Sequence, residues 1–104
     1  MRKKMALEMA TQAMEQTRAL GYGCLSNPSP AGCPATSPSG IWESVSTVTY
    51  SFLTQSFSAQ QRRRVTDETS SVANKNKKVE IEVCWPTCGV TTSTTIGLAT
   101  YIAP

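Results

Sequence analysis

From Met1 to Tyr22 the apolar positions recur at helical spacing. At about 100° per residue, Leu7, Met14, Ala10, Ala6, Ala13, Leu20 and Met9 fall on one arc, and Arg18, Thr11, Lys4, Glu15, Glu8, Gln12 and Gln16 fill the other. Ala, Met, Leu, Glu and Gln are strong helix formers and the segment has no proline, so pattern and propensity both predict an amphipathic helix of about five turns. Gly21 and Gly23 end it, since glycine reaches positive φ without steric cost.

Residues 21–40 contain four prolines, four glycines, two cysteines and no charged side chain. Such a stretch forms no regular element and is costly in loop entropy unless it is stapled. After Gly40 the period changes to two. Val48, Tyr50 and Phe52 alternate with Thr47, Thr49 and Ser51, and Val79, Ile81, Val83 and Trp85 alternate with Lys78, Glu80, Glu82 and Cys84. Ile96, Leu98, Thr100 and Ile102 alternate with Gly97, Ala99 and Tyr101 after a Thr/Ser run at residues 91–95. All three segments predict half-buried strands. The stretch 56–71 stays open between strand and loop, with the ambiguity centred on residues 65–69. A helix followed only by strands predicts an α+β fold: one amphipathic N-terminal helix across an antiparallel sheet of three to four strands. Ala6, Leu7, Ala10, Ala13 and Met14 are expected to meet the sheet face made by Val79, Ile81, Val83, Ile96 and Leu98.

With 104 residues, of which 39% are hydrophobic, the chain holds one domain over residues 1–104. Its layout is a helix (1–22), a Pro/Gly-rich disulfide loop (23–40) and a sheet (41–104). So small a domain buries a modest share of its surface, which gives four cysteines a stapling role. They allow three pairings, of which the local pairs Cys24–Cys33 and Cys84–Cys88 are expected. Structural disulfides imply an oxidising compartment. The spacings fit structural zinc poorly, and no C-x-x-C marks a redox dithiol, so neither a metal nor a cofactor is expected.

The chain has no histidine, which removes the commonest general base and disfavours most hydrolase constellations. Glu80 and Glu82, with Asp67 and Glu68, could pair as carboxylate catalysts, but glutamates on the polar side of a strand are ordinary. No enzyme activity and no catalytic residue are expected. Net charge is +3, with two basic clusters at Arg62, Arg63, Arg64 and at Lys75, Lys77, Lys78. Their plain interpretation is a solvated loop; the functional one is an anion-binding patch for nucleic acid, a phospholipid headgroup or an acidic surface. Trp42, Tyr50 and Tyr101 could add stacking.

The segment Ala10-Thr11-Gln12-Ala13-Met14-Glu15-Gln16-Thr17-Arg18-Ala19 resembles the A-x-Q-x-M-E-x-x-R-A stretch of type IV pilin-like proteins, in particular minor pilins of the PilV kind and type II secretion pseudopilins of the GspI kind. Residues 78–85 are similar to that family's strand ending in Val-x-Trp, and residues 97–103 to its closing strand, while residues 21–40 match it hardly at all. The resemblance implies a pilin-like domain that serves as a minor or major structural subunit of a type IV pilus or type II secretion filament. Its partners would be other pilin or pseudopilin subunits, its place an extracellular filament or the periplasm, and its membrane anchor a hydrophobic half-helix outside this sequence. Two origins stay open: a soluble portion trimmed from a longer chain, or the globular chain of a split pilin whose hydrophobic helix is a separate polypeptide. The alternative is a pilus-associated module that binds DNA or a surface through its basic clusters.

Overall fold

The computed structural model describes residues 2–52, 54–71, 74–85, 87–89 and 93–104, without the side chains of Arg2, Tyr50, Phe52, residues 69–71, Asn74 and Lys75. One helix, α1 (Arg2–Leu20), is followed by a single turn at Gly23–Leu25 and four strands, β1 (Ser46–Phe52), β2 (Gln55–Ser71), β3 (Asn74–Trp85) and β4 (Thr94–Ile102). The strands form one antiparallel meander in the order β1-β2-β3-β4, so the fold is the α+β arrangement the sequence predicts, with four strands. No described helix is long and apolar enough to cross a membrane.

Gly21, at φ +82°, turns the chain out of α1, and its N–H donates to the Arg18 carbonyl at 3.2 Å. Arg18 lies in the last turn, where its charge complements the helix dipole, and donates to the Thr100 hydroxyl at 3.0 Å. The helix packs mainly on β3 and β4. Its buried stripe is Met5, Ala6, Met9, Ala10, Ala13, Met14 and Thr17, against Phe57, Ala59, Val65, Val79, Ile81 and Val83. Thr17 satisfies its hydroxyl within the helix, donating to the Ala13 carbonyl at 2.9 Å. Three alanines, Ala6, Ala10 and Ala13, are buried within the stripe.

Leu7 is the exception to the expected contact face, being 47% exposed. Ala6 and Ala10 sit at the contact line, and Leu7, about 100° around from Ala6, falls on the flank facing away. The ambiguous stretch is likewise resolved: it belongs to β2, at 17 residues the longest strand described, so the arginine cluster lies in a sheet and not in a loop. Tyr50, Phe52 and Lys75 have described backbone, but their side chains lie outside the described residues, as do Thr91 and Thr92 of the Thr/Ser run.

Candidate functional site

Three consecutive arginines on a strand must alternate between its faces. Arg62 pairs across the sheet with Glu82, and Arg64 with Glu80, on the face away from the helix, whereas Arg63 stands opposite Ile81 on the helix side. Arg62 Nε donates to Glu82 Oε1 at 2.7 Å. Arg64 grips Glu80 through both oxygens, Nε to Oε1 at 3.0 Å and Nη2 to Oε2 at 2.8 Å. The hydrogen bond from Arg64, reinforced by its charge, holds the Glu80 carboxyl below the usual carboxylate range and raises the guanidinium in turn.

A strap, residues 40–43, runs along β2 beyond the end of β1. Gly40 N–H donates to the Val65 carbonyl at 3.0 Å and Glu43 N–H to the Arg63 carbonyl at 2.7 Å, with a bridge between Trp42 and Arg64. The strap therefore alternates like a short strand. Trp42 turns to the outer face, where the guanidiniums of Arg62 and Arg64 lie 4.1 and 4.4 Å from its ring centroid. Glu43 turns to the inner face and takes Arg63 in a bidentate pair, Nε to Oε1 at 3.0 Å and Nη2 to Oε2 at 2.8 Å. Arg63 Nη1 also reaches the Thr17 hydroxyl at 3.4 Å, joining strap, sheet and helix. Thr17, Glu43, Arg62 and Arg63 line a groove of about 340 Å³ with Ala13, Leu20 and Pro34.

At the far end of the outer face, Cys84 and Cys88 are joined, with Cα atoms 5.1 Å apart, and the turn between them folds onto Gln60. Gln60 Oε1 accepts from the Cys88 N–H at 3.0 Å and from the Thr87 hydroxyl. Glu82, Cys84 and Cys88 bring three potential ligand atoms within 4.8 Å of one another, but the sulfurs are bonded to each other and Glu82 is held by Arg62. Cys24 and Cys33 are also joined, with Cα atoms 5.4 Å apart, and close the Pro-rich loop.

The sequence-predicted basic residues are thus dispersed. Arg62, Arg63 and Arg64 are each bound to a carboxylate, and Lys77 is buried, pairing with Asp67 and lying 4.8 Å from the Tyr22 ring centroid. Lys78 stands on the outer face opposite Thr66 and Tyr101. Lys75 lies opposite Thr69 in the β2–β3 hairpin. Glu80 and Glu82 are partners of arginines. The sequence pattern did not single out Glu43 or Gln60: a lone glutamate in a loop and a glutamine in a polar run carry no signal until the strap and the Cys84–Cys88 turn are seen to fold onto β2. Trp42, a stacking candidate in the sequence, has two arginines as its partners. No protein-family model matches this chain, and neither a curated protein nor a solved structure matches it.

Proposed function

We propose that this domain is a non-catalytic structural subunit, minor or major, of a type IV pilus or type II secretion filament. The observation that carries the proposal is the architecture: an N-terminal helix laid by an alanine- and methionine-lined stripe across a four-strand antiparallel meander, an arrangement compatible with a pilin-like fold. Such a helix buries one face on its own sheet and leaves the other, including Leu7, to neighbouring helices. Two disulfides agree with an extracytoplasmic place, where assembled filaments lie. The polar groups of the arginine site are mutually satisfied, which suits a rigid building block whose function rests on repeated surface complementarity.

The test is deletion of the gene in the source organism, with electron microscopy of the cell surface and immunogold labelling against this domain. Labelled filaments in the parent strain, lost or shortened on deletion and restored by complementation, are expected. Unlabelled filaments of unchanged number, or retention of the protein in the cytoplasm, would refute the proposal.

A further inference from the structure

Among the described residues, β4 has β3 as its single neighbour in the sheet, so one of its sides is an open edge. Which residues present their backbone to that edge follows from the strap. Arg63 and Val65 carbonyls accept from residues 43 and 40, on the side of β2 away from β3. In an antiparallel ladder, backbone groups alternate between the two sides. The pairs Arg62↔Glu82 and Arg64↔Glu80 are therefore the hydrogen-bonded ones between β2 and β3, which turns Val79, Ile81 and Val83 toward β4. Their partners Thr100, Leu98 and Ile96 are then committed to β3. Thr95, Gly97, Ala99 and Tyr101, all exposed, direct their N–H and C=O groups outward.

Native sheets protect such an edge with charge, proline, a bulge or a cover. β4, Thr-Thr-Ile-Gly-Leu-Ala-Thr-Tyr-Ile, has no charged residue and no proline over nine positions, and its pairing with β3 runs without a register shift. We infer that the β4 edge is a self-recognition surface, on which β4 of a second copy pairs antiparallel about a two-fold axis at Leu98. One register engages all four outward residues of both copies: Thr95 opposite Tyr101 and Gly97 opposite Ala99. Each such pair exchanges two hydrogen bonds, giving about eight.

The side chains fit the same register. Leu98 meets its own copy across the closely spaced, non-hydrogen-bonded position, and Ile96 meets Thr100, extending the half-buried row that already packs on the core. On the outer face Tyr101, 58% exposed, lies diagonal to the partner's Gly97, where the missing side chain leaves room for the ring. With no charge on the strand, the two-fold brings no like charges together. This contact closes after two copies and does not itself propagate a filament, so it is separate from the proposed assembly role.

Analytical ultracentrifugation of the chain across a range of concentrations should show a monomer–dimer equilibrium that stops at two. Ala99→Pro removes an outward N–H that β3 does not use, so the fold should survive by circular dichroism while association falls at least about tenfold. Leu98→Cys should cross-link to its own copy under mild oxidation, and Ile96→Cys should not unless mixed with Thr100→Cys. A monomer at every concentration would overturn the inference. So would growth past the dimer, which would signal head-to-tail pairing of β4 with the other edge, β1. Wild-type association of Ala99→Pro, or equal cross-linking by Ile96→Cys alone, would also overturn it.

Discussion

Ile81→Ala should unfold the domain far more readily than Leu7→Ala, although both residues belong to the apolar pattern of their elements. Ile81 is 1% exposed and lies among the largest fully buried side chains, beneath α1. Truncation removes three carbons, worth about 0.8 kcal/mol each, or about 2.4 kcal/mol in transfer. A residual cavity of roughly 50 Å³ adds about 1.2 kcal/mol at ~24 cal/mol per Å³, for a total near 3.5 kcal/mol. Leu7 also loses three carbons, but at 47% exposure about half of that transfer is already forfeited. No cavity forms, and alanine's helix propensity offsets a little, leaving a cost of about 1 kcal/mol or less. A domain of this length has roughly 5–15 kcal/mol in total, so the two variants separate clearly. Urea unfolding followed by far-ultraviolet circular dichroism, with disulfides intact and a common slope, measures both. Equal midpoints, or a cost below about 1 kcal/mol for Ile81→Ala, would show that the helix does not pack on β3 as described.

Glu43→Gln should cost about 1–3 kcal/mol, because Arg63 and Glu43 are 14% and 18% exposed and Arg63 would lose its only carboxylate partner among the described residues; a double-mutant cycle with Arg63→Met measures the coupling. Glu80, whose folded carboxyl titrates below its unfolded value, contributes stability that is complete above the unfolded carboxylate range near pH 4.3 and is lost as pH falls through the lower folded value; Glu80→Gln should flatten the acid limb of the stability profile there. Replacing either cysteine pair by serine should lower stability by about 2–3 kcal/mol, as expected for short closed loops, and peptide mapping without reduction should recover Cys24 linked to Cys33 and Cys84 to Cys88. Binding to duplex DNA should be weak at physiological salt, since Arg62, Arg63 and Arg64 are already paired; tight, steeply salt-dependent binding abolished by replacing all three with glutamine would restore the anion-binding alternative.

The elements that are amphipathic in the ordinary sense were legible in the sequence. Val79, Ile81 and Val83 alternate with charged residues, and the alanine-rich helix repeats at 3.6, because each has one face in the core and one in water. Gln60 to Arg64 shows no alternation in hydropathy, yet it is strand, because its inner face carries Arg63 and, further on, Asp67. Both are neutralised by groups distant in the chain, Glu43 and Lys77. Polar residues that are satisfied only by tertiary partners look like loop until the partners are known. Leu7 is the opposite case: its hydrophobicity puts it on the apolar arc, but the buried stripe is centred on Ala6 and Ala10, and Leu7 falls on its flank. The cysteine pairs were within reach because each closes a short loop.

The strap that turns Trp42 outward and Glu43 inward has an optical consequence. The two indoles occupy opposite faces of the sheet: Trp42 lies over the guanidiniums of Arg62 and Arg64, and Trp85 sits edge-on to Phe57, 5.3 Å between centroids, on the helix side. Their emission therefore reports on two different events. Detachment of the strap hydrates Trp42 while leaving Trp85 in place, and loss of the helix–sheet core does the reverse. With Trp42→Phe and Trp85→Phe as single-indole variants, fluorescence resolves whether the strap, residues 40–43, lifts from the sheet before the domain unfolds or together with it.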